Sequence, residues 1–458
     1  MNKLNRKISI ILFIALTISI LIHVFDYYEG SMIPQELLGF SRWLVLVILI
    51  AYGFTKKSLT AWILIAMLFG IEFGYDMPVF AQKLDIFSQI FLRMIKTIIA
   101  PLLFGTLVVG IAGHPNLKQV GRMGWKSILY FEIITSIALF IGLAAINISR
   151  AGIGIHLSAD VLKDASIIPI KQTFNDVILH IFPENIAKSI AEGNVLQVVV
   201  FSVLFGIAVA MVKEKYRRPM IVFAEALSEV MFRFTRIIMY FAPVAVFAAL
   251  AYTVGHLGLG IMVSLLRLLA TLYIALIIFV VLVLIPVCFL FRISIKGFFK
   301  AVLEPATIAF ATTSSEAALP VAMNNMERFG VPRKIVAFVL PLGYTFNLDG
   351  TTLYLSLASV FVAQAAGIDM SLGTQLLMMI TLLLTSKGVA GVPRAAMVIL
   401  LGTAASFGLP ALPIFMLLGI DALMDMARTT INVVGNSLAS VVIAKWEGEF
   451  NTNQAPDL

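Results

Sequence analysis

The chain carries a mostly apolar run without Asp, Glu, Lys or Arg from Ile8 to Val24, and apolar runs of similar length recur along its 458 residues. About 20 apolar residues in a helix cross a hydrocarbon core of about 30 Å, whereas helices of water-soluble proteins are apolar on one face only. Further apolar stretches lie near Leu59–Phe73, Ile86–Ile111, Ser127–Ile148, Val195–Val212, Ile221–Tyr252 and Ile261–Phe291. With 60% hydrophobic residues, 13% charged residues and a mean hydropathy of +1.00, the sequence predicts an all-α polytopic membrane protein.

The net charge of +8 does not point to nucleic acid, because the cations are not gathered on one element. They sit at segment ends: Lys3, Arg6 and Lys7; Lys56 and Lys57; Lys118, Arg122 and Lys126; Lys213, Lys215, Arg217 and Arg218. Such ends read as cytoplasmic under the positive-inside rule. The first span exits into a loop with Asp26 and Glu29, and a second, near Trp43–Phe54, returns to Lys56. Residues 1–57 therefore read as an N-terminal hairpin with both ends inside. No small-residue cleavage site follows the first run, so it is expected to be retained. Cys288, in the run VLVLIPVCFLF, reads as a small buried hydrophobe. His23, His114, His156, His180 and His256 share no metal-ligand spacing and read as loop or interfacial residues. No GxxxxGK[ST] loop occurs, which argues against an ATP-driven pump, and no cofactor is expected.

Between Arg150 and Ala191 the sequence is mixed and polar, as expected of an extramembrane loop with interfacial pieces. From Lys296 the pattern changes. AVLEPATIAFATTSSEAALPVAMNNMERFG has two short apolar arms around a Ser/Thr-rich tip, Thr312 to Ser315. LLLTSKGVAGVPRAAMVILLG repeats the design around Ser386, Gly388, Gly391 and Pro393. Neither arm of the first is expected to span the bilayer alone at 1.5 Å per residue. Paired broken segments of this kind mark transporter binding sites near the midplane, where non-helical backbone must line water, protein or ligand. Each precedes a helix with polar groups, TFNLDGTTLY in one case and a polar stripe in the other. The stripe is Asp421, Asp425, Arg428 and Asn432, spaced by four, three and four and so on one helical face. A charge at bilayer depth costs roughly 2.5–3.5 kcal/mol on insertion scales. Such a stripe is retained where it faces a cavity and handles a polar solute.

Four motifs in this order, TTSSEAALP (Thr312–Pro320), NLDGTTLY (Asn347–Tyr354), SKGVAGVP (Ser386–Pro393) and DMARTTINVVGN (Asp425–Asn436), carry a family resemblance. The chain resembles the dicarboxylate/amino acid:cation symporters, the glutamate transporters and their bacterial homologues, over roughly Leu59 to Glu447. The resemblance implies eight transmembrane helices plus two re-entrant helical hairpins, to which residues 1–57 are extra. It also implies a homotrimer with a static scaffold and a transport domain that moves like an elevator. On that reading 58–122 and 151–255 are scaffold, 123–150 and 256–447 form the transport domain, and 448–458 are a polar tail.

The resemblance assigns roles residue by residue. Arg428 matches the partner of a substrate side-chain carboxylate, a role suited to a fork of donors that stays protonated. Its alternative is an internal ion pair with Asp425 or Asp421. Asp425 matches the acceptor from a substrate α-amino group, and Asn432 a donor to its α-carboxylate. Thr429, Thr351, Ser314 and Ser315 at the first tip, and Gly391 and Val392 at the second, complete the substrate set. For the serines alone, a satisfied helix end is the competing reading. A cation for a second carboxylate and an anion for an ammonium together describe glutamate or aspartate. Relatives that carry C4-dicarboxylates tend to lack the acid matching Asp425.

For the coupling ion, Asn347 and Asp349 with Thr135 and Ser136 match one sodium site; Thr345 and Ser386 match part of another, and Gly343 joins the cation set. A third site normally ends in an aspartate where this chain has Asn436. A tyrosine usually found three residues before Thr135 is replaced by Glu132. A carboxylate roughly 12 Å into a span starting near Gly124 favours its protonated form and becomes a candidate proton carrier. A partner for a nearby Lys or Arg is the alternative. Protons are therefore expected ahead of sodium, in a bacterial inner membrane. Two other classes are weighed. An intramembrane aspartyl enzyme would need Asp349 and Asp425 to meet, and Arg428 one turn away would hold Asp425 ionised; no enzyme is expected. A substrate-gated anion channel differs in giving passive flux.

Overall fold

The computed structural model describes residues 3–30, 33–56, 58–112, 117–155, 182–192, 195–386 and 395–451. Among the described residues the regular elements are all helices, without strands. In chain order the helices are α1 (Lys3–Glu29), α2 (Gln35–Lys56), α3 (Leu59–Asp76), α4 (Pro78–Ala81), α5 (Asp85–Ala112) and α6 (Leu117–Ser149). There follow α7 (Ile186–Glu192), α8 (Val195–Met211), α9 (Glu214–Met239), α10 (Ala242–Leu257), α11 (Gly260–Phe279) and α12 (Ile285–Leu290). The last seven are α13 (Ile295–Thr312), α14 (Ser315–Arg328), α15 (Arg333–Phe346), α16 (Asp349–Ala365), α17 (Leu372–Thr385), α18 (Ala395–Ser406) and α19 (Leu412–Trp446).

Five of the described segments are long and apolar enough to cross a bilayer: Ile8–Tyr28, Gln35–Thr55, Leu59–Asp76, Arg122–Ser149 and Gly260–Leu290. The last joins α11 to α12 through a π-helical turn at Val280–Leu284, just before Pro286. The stretch read from sequence as Ile221–Tyr252 divides, because α9 ends at Met239 and α10 starts with Pro243 in its first turn. Most of the polar 150–191 segment lies outside the described residues.

The chain forms two compact units. One holds residues 1–92 and 238–262. Within it α3 packs on α10 at backbone distance: a Cβ on Gly70 would lie 2.5 Å from the Phe247 carbonyl oxygen, and one on Gly74 2.6 Å from that of Ala251. Small residues permit such approach between membrane helices. The N-terminal hairpin is bonded to α3. Arg42 Nε donates to Glu72 (2.5 Å), Arg42 Nη2 to Asp76 (3.2 Å), and Trp43 Nε1 to Asp76 (2.6 Å). His23, read from sequence as a loop or interfacial residue, is not in a loop but in α1, with Nδ1 2.8 Å from the Ser19 carbonyl and Nε2 3.3 Å from Arg42 Nη1.

The second unit holds 93–237 and 263–458. Its centre is α16, buried along nearly its whole length between α6 and α19. Gly142 of α6 lies directly against the Leu353 carbonyl, and Ser356 Oγ donates to the Leu139 carbonyl (2.8 Å). α13 and α14 pack on each other and on α19. Tyr273 of α11 donates to the Leu423 carbonyl of α19 (2.9 Å).

Candidate functional site

α19 is 35 residues long and buried over most of its length, although it carries four of the most polar side chains in the unit. Asp421 and Arg428 are 0% and 1% exposed, and Asp425 is 5% exposed. The i, i+3, i+4 spacing brings them together on one face as the sequence predicts. Arg428 Nε donates to Asp425 Oδ1 (2.9 Å) and Nη1 to Asp421 Oδ1 (3.0 Å). The guanidinium carbon lies 4.3 Å from the centre of the Tyr354 ring, a cation–π contact. Nη2 alone has no hydrogen-bond partner among the described residues. Arg428 is thus held on three sides and left with one buried nitrogen unpartnered, which a carboxylate oxygen would satisfy. The internal ion pair weighed as the alternative is thus present, with both Asp425 and Asp421. Tyr354 was not singled out from sequence. Its hydroxyl donates to Met397 Sδ of α18 (3.3 Å), so it joins the guanidinium to the arm that follows the second tip.

Thr429 Oγ1 also donates to Asp425 Oδ1 (3.0 Å). Asn432 faces α16: its Oδ1 accepts from the Gly350 and Thr351 amides (2.8 and 3.2 Å), and its Nδ2 donates to Thr351 Oγ1 (2.9 Å). An amide nitrogen has two protons, so one remains for a ligand. The two helices meet backbone to backbone, because Gly350 lies directly on the Arg428 carbonyl.

The sequence reading takes TFNLDGTTLY as part of one long helix, but the helix breaks inside it. α15 ends at Phe346, Asn347 and Leu348 are non-helical, and α16 begins at Asp349. The break is satisfied locally by hydrogen bonds from the Asn347 amide to Gly343 O (2.7 Å) and from Asn436 Nδ2 to Asn347 O (3.0 Å). Asn347 Nδ2 lies 3.2 Å from both Asp349 Oδ2 and Asn436 Oδ1. Gly343 lies directly on the Asn436 amide and Gly435 on the Asp349 carboxylate, where a Cβ would collide. Four of the expected cation residues, Asn347, Asp349, Gly343 and Asn436, are therefore one cluster, 0% exposed at its three polar side chains.

Thr135 is buried in α6 and donates to the Phe131 carbonyl (2.6 Å); Ser136 beside it is half-buried. Glu132 is half-buried on the same helix, which begins at Leu117 rather than near Gly124. Counted from Arg122, where the apolar span starts, it sits about 15 Å along the axis.

At the first tip α13 ends in Thr313, a left-handed residue (φ 53°), and Ser314 caps α14 by accepting from the Ala317 amide (3.3 Å). Ser315 is buried. The helix-end reading of Ser314 holds for its Oγ. The tip packs through Ala309 and Ala318 against Tyr344 and Val433, which sets it beside α19. The arms of 18 and 14 residues reach about 27 and 21 Å, short of a hydrocarbon core. α17 and α18 are shorter still, at 14 and 12 residues. Ser386 closes α17, buried, with Oγ donating to Leu383 O (3.3 Å). Gly391 and Val392 lie outside the described residues, as does the side chain of Thr345.

A buried, ion-paired guanidinium on a helix that packs against an unwound segment and a short-armed helical hairpin is the arrangement of a membrane solute carrier. The chain belongs to the sodium:dicarboxylate symporter family, whose profile matches residues 59–446. It is 42% identical over 408 residues to the proton/sodium-glutamate symport protein of Bacillus caldotenax, covering 86% of this chain and 96% of that one. It is 39% identical over 416 residues to the proton/glutamate-aspartate symporter of Escherichia coli K12, covering 87% and 95%. A C4-dicarboxylate transport protein of Solibacter usitatus is also 39% identical, over 402 residues, covering 86% and 94%. Residues 1–57 precede the matched region.

Proposed function

We propose that this chain is a secondary active symporter that imports glutamate or aspartate with cations, protons favoured over sodium. The observation that carries this reading is the buried Asp425–Arg428 pair, one acid and one base with a guanidinium nitrogen to spare. An acidic amino acid brings an ammonium for the first and a second carboxylate for the second. Thr351, Thr429, Asn432, Ser314, Ser315, Gly391 and Val392 would complete the contacts. A C4-dicarboxylate is the second reading, favoured by relatives of that name at similar identity. It leaves Asp425 facing a substrate with no ammonium, which costs binding.

Proton coupling is supported by the Asn347–Asn436 hydrogen bonds. A neutral amide that already donates to the Asn347 carbonyl offers a hard cation less than a carboxylate would. Asn347, Asp349, Gly343, Thr135, Ser136, Thr345, Ser386 and Asn436 form the proposed cation set, and Glu132 the proton carrier. Uptake by Glu132→Gln is expected to fall at least tenfold under an imposed proton gradient; unaltered proton-driven uptake removes Glu132 from that role. Movement by an elevator step, a homotrimer, and residence in a bacterial inner membrane complete the proposal. The scaffold would comprise 58–122 and 151–255, and the moving domain 123–150 and 256–447.

The test is reconstitution in liposomes with aspartate, glutamate and succinate under proton and sodium gradients imposed separately. Aspartate and glutamate are expected to accumulate against their own gradients when protons are driven inward. Accumulation of succinate alone would assign the dicarboxylate reading, and flux that only dissipates a substrate gradient would assign a channel.

A further inference from the structure

The end of α19 and the residues after it fold over one end of the second unit and gather it into a single surface. Lys445 Nζ donates to the Arg292 carbonyl between α12 and α13 (2.9 Å). The Asn451 amide donates to the Gly330 carbonyl between α14 and α15 (2.9 Å), and Phe450 packs on Phe329. Lys126 near the start of α6 donates to the Trp446 carbonyl (3.1 Å), and Lys334 near the start of α15 pairs with Glu449 (2.7 Å).

Charge on this surface is sorted by depth. Glu447 is tucked in behind Arg122: its side chain is 2% exposed and that of Arg122 69%. Arg333 is likewise more exposed than Glu327, and Lys334 more than Glu449. Arg292, Lys296 and Arg328 are exposed as well. The positive-inside rule accounts for cations at this end, but not for acids withdrawn behind them. At the start of α9, also rich in cations, the order is reversed, with Glu214 74% exposed and Arg217 16%. The apolar span of α6 begins at Arg122, so this surface stands where hydrocarbon gives way to headgroups. Trp125 and Trp446, both exposed, suit that level.

We propose that this surface binds the headgroups of anionic phospholipids, its outward cations meeting lipid phosphates while the withdrawn acids hold those cations in place. A zwitterionic lipid brings an ammonium with its phosphate, so the net attraction belongs to the anionic class. The guanidinium groups of Arg122, Arg292, Arg328 and Arg333 can each take two phosphate oxygens. A cation near an anionic lipid surface adds about fivefold in affinity. The proposal concerns binding and stands whichever solute the chain carries, so its readout needs no transport.

The test uses the full chain in phosphatidylcholine vesicles, with a minor share of brominated phosphatidylglycerol in one arm and of brominated phosphatidylcholine in the other. Bromine quenches a tryptophan that it touches. Trp43→Phe and Trp62→Phe leave Trp125 and Trp446 as the reporters. Brominated phosphatidylglycerol is expected to quench at least twice as strongly as brominated phosphatidylcholine. Most of that excess is expected to disappear as salt rises from about 0.02 M to about 0.5 M. Lys296→Gln, Arg328→Gln and Arg333→Gln together are expected to remove most of it too, with little change in melting temperature, because all three side chains are exposed. Arg150→Asn, beyond the far end of α6, is expected to keep the excess. Equal quenching by the two lipids, an excess that survives the triple substitution, or an equal loss in Arg150→Asn would overturn the proposal. Loss of the excess on adding inorganic phosphate, but not chloride of equal ionic strength, would assign the cations to free phosphate instead of lipid.

Discussion

At the scale of single residues, the buried charge of Arg428 is tolerated because it has close neighbours. Arg428 meets two carboxylates and an aromatic face. Removing one partner from a buried pair of this kind costs about 3–5 kcal/mol. Asp425→Asn is therefore expected to lower aspartate uptake at least tenfold, because the ammonium loses its anion and the guanidinium part of its support. Succinate, with no ammonium, is expected to be affected less, so the ratio of the two uptake rates is the measurement. An equal loss for both substrates would show that Asp425 only props Arg428. The acid, the base and Asn432 are legible in the sequence because i, i+3 and i+4 spacing is a local property of one helix. Tyr354 is not, because its ring reaches Arg428 from α16 across a helix interface. The contact of Gly435 with the Asp349 carboxylate is hidden for the same reason.

At the scale of elements, the second unit sets interrupted segments against long continuous helices such as α6 and α19. The first hairpin was readable because a Ser/Thr cluster stands between two apolar arms too short to cross the membrane. The break at Asn347–Leu348 was not, since neither residue forbids a helix. It is fixed by bonds to Gly343 and Asn436 that only the folded unit provides. The turn at the first tip also stores a cost that sequence hides, since Thr313 holds a left-handed conformation that favours glycine. Thr313→Gly is expected to leave the melting temperature of the purified protein unchanged or raise it, and Thr313→Val to lower it by the equivalent of about 1 kcal/mol. A stabilising valine would mean that the turn does not hold this geometry. Ser314 acts here as a cap, so a loss of uptake in Ser314→Ala must be compared with the roughly 1 kcal/mol expected of a lost N-cap.

At the scale of the whole molecule, each compact unit has its own ionic fastening. In one, Arg42 ties the N-terminal hairpin to α3 through Glu72 and Asp76. The hairpin was legible as two spans, but its attachment was not, because the partners lie about 30 residues apart. In the other, Glu447 at the end of α19 accepts from Lys126 Nζ (2.6 Å) and from Arg122 Nη2 (2.6 Å) and Nε (3.0 Å) on α6. The Lys126 hydrogen bond, followed by that from Arg122, holds the Glu447 carboxyl below the usual carboxylate range. A lowered folded-state pKa means this contribution is complete above about pH 4.5 and fades as pH falls through the folded value. The melting temperature of wild type is expected to fall more steeply than that of Glu447→Gln as pH drops from 5 towards 3. Near pH 7 the substitution is expected to cost about 1 kcal/mol, since Arg122 is mostly exposed. Parallel curves would remove the clamp from the account.

The central claim is that the α19 guanidinium and its neighbouring carboxylate receive the two ends of an acidic amino acid. The most direct measurement is radiolabelled aspartate uptake by proteoliposomes carrying Arg428→Cys, beside wild type and with serine or alanine as alternative substrates. Aspartate and glutamate uptake is expected to vanish, with the emptied pocket able to admit a neutral amino acid. Aspartate uptake undiminished from wild type, in a variant that folds normally, would contradict the claim.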